Sequence, residues 1–369
     1  MPTTSVFSVS RSETYLASMP NLAFTGLSEN WLLKECGHQH WLALAQLHNR
    51  PLPDFVDEQG RIAYAAFTAV KTWNLKLEAI VENRAFQIHT RIGRGGQARH
   101  YSEHEVRLGD RVVGQLALLS TFVSRHVPGD NRSVSKACLK GTQAPVTPLP
   151  EVLQELHADN RRIRSGDWHT HYGIDRQSTE AAREFDFTPC PDIDFNGADL
   201  LYFANFQAMV ERAEWALSGL RRPGHIRQRE LHFYGNLNIN DSLQLRLHMG
   251  QPGNRELHWC EVYRRSDLFK LADVFTRKIH LSDCSRPGAI FLSGGPKACG
   301  SSRCTTAVTW TVLSTCTACP VKRPLYAAPT RACTRKNPGR CGSTPDSPEP
   351  MPATSACGNA WPRAPRGYL

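Results

Sequence analysis

The feature that most limits how this chain can fold is a pattern that occurs twice: one long helix with an apolar stripe, then a run of strand-like segments separated by turns. In the second copy Phe203, Phe206, Val210, Ala213 and Leu217 follow one another at spacings of 3, 4, 3 and 4, which puts them on one helical face. Gly219 and Pro223-Gly224 end that helix. In the first copy Ser28 is placed to cap a helix carrying Trp31, Leu32, Cys36, Trp41, Leu44 and Leu47, with Gly37 as its weak point. The segments RIAYAAFTAV, LEAIVENRAFQIHTRI, ARHYSEHEVRL and VVGQLALLSTFVSR follow, punctuated by Asn83, Gly93 to Gly96 and Gly109-Asp110. After the second helix come RQRELHFYGNLNI, SLQLRLHM, ELHWCEVYRRSD and LFKLADVFTRKIHL. Both runs read as antiparallel strands. Phe24-Thr25-Gly26 matches Phe195-Asn196-Gly197, and Leu116 and Ala117 match Leu271 and Ala272. A helix with so wide a stripe must be buried, and a curved sheet with one apolar face can bury it. The expected fold is therefore α+β, with each of two central helices wrapped by an antiparallel sheet. Residues 1–20, Ser/Thr-rich and aperiodic, read as a flexible arm; 21–126 and 181–283 read as the two repeats. Residues 127–180, polar and proline-bearing, read as a linker with a short helical pattern through EVLQELHADNRR.

Composition divides the chain at one place. The 369 residues carry 44 Lys and Arg against 34 Asp and Glu, a formal charge of +10. Eleven of those cations but only two acids, Asp346 and Glu349, lie beyond residue 283, which leaves the preceding body near neutral at 33 against 32. The same 86-residue tail holds 8 of the 12 cysteines, 12 of the 24 prolines and none of the 15 histidines. A neutral body lacks the field that a phosphate backbone or anionic lipid would require. The first twenty residues contain no apolar stretch of secretory-signal length, and no apolar run approaches the about 20 residues of a membrane span. A cytoplasmic, soluble protein is expected. Cys316 and Cys319 have zinc-ribbon spacing, but neither Cys299 and Cys304 nor Cys333 and Cys341 supply the second pair. Loss of hydrophobic periodicity with an excess of Cys, Pro, Arg, Ser and Thr is what a GC-rich coding region yields when translated in a shifted frame. Residues 284–369 are expected to be an aberrant or disordered appendage.

The stretch PDIDFNGADLLYFANFQAMVERAEWAL resembles the signature of hotdog-fold acyl-CoA thioesterases, in which an Asp, a Gly, aromatic residues and an Asn lead into the central helix. Asp194, Gly197 and Asn205 occupy those positions. NLAFTGLSENWLLKECGHQHW together with GRIAYAAFTAV resembles the double-hotdog acyltransferase/decarboxylase family of polyketide biosynthesis, the leinamycin type. The resemblance covers about residues 20 to 281 and implies two hotdogs packed as the subunits of a hotdog dimer. It also implies transfer of methylmalonyl from its coenzyme A thioester, with loss of carbon dioxide, to leave propionyl on the phosphopantetheine arm of an acyl carrier protein. Tyr64 matches the tyrosine that this family places where thioesterases use a carboxylate. Gly26, Gly197 and Asn205 are the implied substrate-binding positions. No metal or other cofactor is expected, since coenzyme A enters as part of the substrate.

Decarboxylation of a malonyl-type thioester needs donors for the enolate oxygen, each worth on the order of 3 kcal/mol. The Tyr64 hydroxyl, with an ordinary pKa of about 10, can donate without activation, whereas acting as acyl acceptor would require a base. Taken by its position alone, Tyr64 is an inward-facing strand aromatic. Asp194 keeps a hydrolytic thioesterase or dehydratase-like enzyme open as the alternative; as a plain structural group it serves the turn into the second helix. Asn205 either orients a thioester carbonyl or pins the helix to the sheet. A catalytically inactive double hotdog that docks a carrier protein is the third possibility. His169-Thr-His171 and His38-Gln-His40 lack acidic or cysteine partners at ligand spacing and do not point to a metal.

Overall fold

Ser28 caps the first helix as its position predicts, its hydroxyl accepting from the Trp31 amide at 3.3 Å, and α1 runs from Glu29 to Leu47. The computed structural model describes residues 8–96, 98–141, 144–177, 182–217, 223–250 and 256–280, and the structural statements below concern these. The expectation for residues 284–369 lies outside them. In the first half β1 (Val9–Leu16) precedes α1, and β2 (Ala63–Trp73), β3 (Ala85–Arg94), β4 (Arg99–Leu108) and β5 (Arg111–Arg125) follow it. The connecting segment holds α2 (Glu151–Ser165). The second half repeats the plan with β6 (Arg183–Phe187), α3 (Phe203–Leu217), β7 (His225–Phe233), β8 (Leu243–Met249), β9 (Leu257–Arg264) and β10 (Phe269–Ile279).

The ten strands form one antiparallel sheet in the order β1-β3-β4-β5-β2-β7-β10-β9-β8-β6, and a short eleventh strand, Val134–Lys136, adds to β5. Each half thus has the same internal order, and the halves join where Ala69–Thr72 of β2 pairs with Arg229–His232 of β7. Antiparallel pairing of two equivalent strands makes the junction a local twofold. This is the double hotdog expected from the sequence. One core fills it: Leu32, Leu33 and Cys36 of α1 pack in the same cluster as Phe206, Met209, Val210 and Ala213 of α3. Gly37 lets the helices approach, since a Cβ there would stand 2.7 Å from a Phe203 ring carbon.

Three expectations need correction. Residues 1–20 are not wholly an arm, because Val9–Leu16 is an edge strand paired along the whole of its length with β3. Its inward positions are Val9, Arg11, Glu13 and Tyr15, so polar and apolar residues mix on one face and no hydrophobic alternation shows. Arg11 and Glu13 pair at 2.9 Å, and the Tyr15 hydroxyl donates to Glu35 at 2.6 Å. The segment LEAIV is not strand; Leu77–Ala79 forms a single 3-10 turn and β3 starts only after Asn83, which takes a left-handed φ of 62°. The repeat holds, but its quoted matches are out of register. Leu22, not Phe24, is the counterpart of Phe195, each being the paired position of the small hairpin before its helix, while Phe24 sits at an exposed turn. Ala117 faces α2 whereas Ala272 faces the core.

The 127–180 excursion covers the outer face of the sheet. Leu153 and Leu156 of α2 pack on Tyr101, Ala117 and Leu119, and Ile163 and Trp168 pack on Trp259 and Phe275.

Candidate active site

The local twofold creates two equivalent corners, each where the N-terminus of one half's helix meets the other half's central strand. At one corner Phe67 of β2 pairs with Ser120 of β5, and Ser120 with His100 of β4. There α1 brings His40 against Phe67, ring centres 5.2 Å apart, and the first residue of α3, Phe203, lies at 4.3 Å. At the other corner Arg229 of β7 pairs with Thr276 of β10, and Thr276 with His258 of β9. There the first residue of α1, Glu29, and two residues of α3, Glu211 and Glu214, converge on Arg229. Identical positions in the fold therefore carry neutral groups in one half and ions in the other.

At the charged corner Arg229 is fully buried. Its Nε donates to Glu29 at 2.9 Å, Nη2 to Glu211 at 3.0 Å, and Nη1 to Glu214 at 3.1 Å and to the Thr276 hydroxyl at 2.8 Å. Gln207 donates to the second Glu29 oxygen at 3.0 Å. Lys278 contacts both Glu211, at 2.6 Å, and Glu214, and His258 also closes on Glu214. Burial by itself would raise both α3 carboxyls. For Glu214, His258, Lys278 and Arg229 more than offset this and hold it well below the usual carboxylate range. For Glu211 burial and the neighbouring Glu214 charge prevail over the same cations, and its proton affinity is raised. The Glu211 side chain keeps 41% of its exposure against 8% for Glu214, so solvent reaches Glu211 and weakens the burial that raises it. Two carboxylates whose environments drive their proton affinities apart are the usual arrangement of an acid–base site. Arg229 is committed to its carboxylates and Thr276, so the Lys278 ammonium is the donor of this corner that could serve a developing oxyanion.

At the other corner the groups meeting His40 among the described residues are neutral. The rings of His40 accept from or donate to Ser102 at 2.7 Å and Ser120 at 2.8 Å, and Ser102 continues to His104 at 2.8 Å. Burial, with the neighbouring imidazole of His104, pushes His40 down to about 3. His40 therefore stays neutral at physiological pH. Within the described residues β7 covers β2 only at Ala69–Thr72, so Ala63–Thr68 has no strand on that side. Tyr64 through Thr68 are accordingly only half-buried.

The structure does not gather the residues singled out by sequence into one place. Tyr64 alternates with Ala63 and Ala65, which pack on α1, and so stands on the outer face of β2, away from His40 and Phe67. Asp194 is buried at the end of the short helix Pro191–Asp194, its carboxylate accepting from the Cys190 amide at 2.8 Å. Asn205 donates to the carbonyls of Ile193 and Asp194 at 3.1 and 3.0 Å and so ties α3 to that turn. Gly26 packs against the backbone at Leu77, while Gly197 is exposed with open space around its Cα. The charged corner was not singled out from sequence, although RQRELHF carries a sign of it: strand alternation puts Arg229 on the face of Leu231 and Phe233. A buried cation on an apolar face demands acidic partners, and Glu211 and Glu214 flank the α3 stripe.

Across the sheet from the charged corner, on the outer face at the β2–β7 junction, a cleft of about 470 Å³ is lined by Lys71, Lys76, Arg227 and Arg277 beside Trp73. Arg227 also forms a two-pronged pair with Glu78.

No family model matches the sequence, and no curated protein matches it. Solved structures do match in fold. A 12:0-ACP thioesterase from Umbellularia californica superposes with a TM-score of 0.50 at 10% identity, over 76% of this chain and 99% of that one. A candidate oleoyl thioesterase from Lactobacillus plantarum superposes with a TM-score of 0.51 at 9% identity, over 74% and 98%. The chain has the hotdog fold. Among the described residues no helix is long and apolar enough to cross a membrane.

Proposed function

We propose that the protein hydrolyses acyl thioesters carried by coenzyme A or an acyl carrier protein, with the charged corner as its reacting site. The observation that carries this reading is the Glu211–Glu214 pair at the Lys278 ammonium, Glu211 reached by solvent and Glu214 buried and held ionised by His258, Lys278 and Arg229. Glu211 accepts a proton from water as its oxygen attacks the thioester carbonyl. The Lys278 ammonium holds the oxyanion, and Arg229 keeps Glu214 ionised beside it. Collapse expels the thiolate, which takes the proton back from Glu211, leaving a free acid and a thiol. The likeness in fold to a 12:0-ACP thioesterase and to a candidate oleoyl thioesterase supports the reading. The test is thiol release from a panel of acyl-coenzyme A and acyl-carrier substrates. Glu211→Gln should lower kcat by about 10²-fold or more when assayed well below its thermal midpoint; wild-type turnover in that variant would sink the assignment.

A second reading, methylmalonyl transfer with decarboxylation, is favoured by the neutral corner. Loss of carbon dioxide needs no base, only donors for the enolate oxygen, and Ser120 and His40 stand there uncharged. Tyr64, the donor that the family resemblance implies, lies on the outer face of β2, so at this corner the donors would be Ser120 and His40. Weighing products from methylmalonyl-coenzyme A with a loaded carrier separates the readings: free acid supports hydrolysis, propionyl carrier supports transfer, and binding without turnover leaves a docking protein.

A further inference from the structure

On the outer face of the sheet, away from both corners, Glu230 and His232 of β7 project side by side beneath the excursion, and His171 comes down onto them from the hairpin formed by Thr170–His171 and Ile174–Asp175. All three are buried, Glu230 and His232 completely. His232 Nε2 lies 3.1 Å from one Glu230 oxygen and His171 Nε2 lies 3.5 Å from the other. Yet neither contact is aligned as a hydrogen bond: both carboxylate oxygens and both Nε2 atoms lack a hydrogen-bond partner. The buried hydroxyl of Tyr172, adjoining Glu230, lacks one as well. Five orphaned polar atoms around one point are costly, because each loses its water without replacement.

Tyr172 carries a second cost. Its φ of 56° places a bulky residue in the left-handed region, immediately before Gly173 at 78°. The turn could use Asn or Gly at that position, and what the tyrosine adds is a hydroxyl delivered to the cluster.

From this we infer that His171, Glu230, His232 and Tyr172 form a binding site for a divalent transition metal of the zinc class. Two imidazoles and a carboxylate are a three-ligand set that zinc takes, and the Tyr172 hydroxyl beside Glu230 is the candidate for the fourth position. Ligands about 2.1 Å from zinc stand about 3.4 Å from one another in a tetrahedron, and ligand atoms of His171, Glu230 and His232 lie within 4.8 Å of one another, near enough to close on one ion with small side-chain rotations. Among the described residues this is the one group of three such side chains whose ligand atoms all fall within 4.8 Å of each other. The outer contacts also fit. His232 Nδ1 donates to the Asn160 side-chain oxygen Oδ1 at 3.2 Å, which fixes the tautomer with Nε2 free to bind. Arg162 donates to His171 Nδ1 at 3.1 Å, so His171 carries its proton on Nε2. Metal binding moves that proton to Nδ1 and releases Arg162 to its other partners, Asp159 and the Thr170 carbonyl. Tyr172 gives up its phenolic proton to the solvent on ligation. The buried charge then sums to zero: two positive from the metal, one negative each from Glu230 and Tyr172. The metal would clamp the excursion, through His171 and Tyr172, to the central strand of the second half.

The test uses the full chain, stripped with a chelator and titrated with Zn²⁺ by calorimetry. Because the 8 cysteines beyond residue 283 can also take zinc, the readout is the difference from Glu230→Ala/His232→Ala. The wild type should bind one equivalent more than the double variant; equal stoichiometry at equal affinity overturns the inference. Should that variant not fold, two measurements on proteins that keep all four ligands decide. Arg162→Met should bind Zn²⁺ several-fold more tightly, as the competing donor to His171 is gone, and unchanged or weaker affinity counts against the site. Crystals grown with Zn²⁺ should show an anomalous peak between His171, Glu230 and His232; its absence there refutes the site.

Discussion

His40 and His104 are wholly enclosed between α1 and the first-half sheet, joined through the Ser102 hydroxyl, with Thr90 closing the chain on His104 at 2.8 Å. Burial pushes both down to about 3, each aided by a neighbouring imidazole. An unfolded histidine titrates near about 6.5. The folded value is therefore the lower one, so stability from keeping these rings neutral is complete above the unfolded value and is lost as pH falls toward the folded value. Each ring should contribute a slope of about 1.4 kcal/mol per pH unit between those limits. His48 and His100 act in the same sense, His48 being lowered to about 4. Unfolding free energy measured in urea at pH 7, 6 and 5 should fall with acidification, and His104→Gln should flatten the curve in that range, where most carboxylates stay ionised. A curve that His104→Gln leaves unchanged would contradict the neutral assignment. These imidazoles were visible in the sequence only as scattered histidines. His104 and Ser102 lie two residues apart in a strand, but their meeting with His40, 62 residues away from Ser102, depends on the closed sheet.

Between residues and the whole lie the elements, and here sequence was most informative where a single element buries one face. The α3 stripe was legible because Phe203, Phe206, Val210 and Ala213 all turn to one core. The β1 strand was not, because its half-buried face satisfies Arg11 and Glu13 with each other. The small hairpin before α1 shows how local geometry can be more demanding than the residue pattern that announces it. Gly26 adopts a φ of 113°, and a Cβ there would stand 2.3 Å from the Leu77 carbonyl oxygen, a backbone atom that cannot swing aside. Its counterpart in the second half, where Phe195 bridges Leu201, has Gly197 in open space, so the two glycines that looked alike in sequence do different work. Gly26→Ala should therefore destabilise by several kcal/mol, at least the about 1–3 kcal/mol of backbone strain plus the clash. Gly197→Ala should stay within about 0.5 kcal/mol. Thermal midpoints of the two variants, measured side by side, check the contrast; equal shifts would mean that the hairpin at Gly26 can reorganise freely.

At the scale of the molecule, two repeats joined by a long excursion could unfold separately, as two domains do. The structure argues that they do not. Only four residue pairs join β2 to β7, which is too little to couple two sheets, but α1 and α3 contribute to a single apolar cluster and Arg229 of the second half is neutralised by Glu29 of the first. Sequence could announce the repeat and its two helices, yet not this joining, because Glu29 and Arg229 are 200 residues apart. Removing the cation leaves Glu29 and Glu214 buried without their guanidinium partner, at a cost of about 3–5 kcal/mol. The residues concerned sit on both halves, so the loss should lower one shared transition and not split it. Calorimetry of the wild type should give a single peak with calorimetric and van't Hoff enthalpies in agreement. Arg229→Met should move that peak down as a unit, and Arg229→Lys should recover only part of the loss, since one ammonium cannot reproduce a fork shared among three carboxylates. Tryptophan probes sharpen the reading, with Trp31 and Trp41 on α1 and Trp168 and Trp259 against β10. If variants keeping only the first pair or only the second melt at the same temperature, the halves fold as one. If Arg229→Met instead gives two peaks, each followed by one pair, the shared core is not what holds the two hotdogs together.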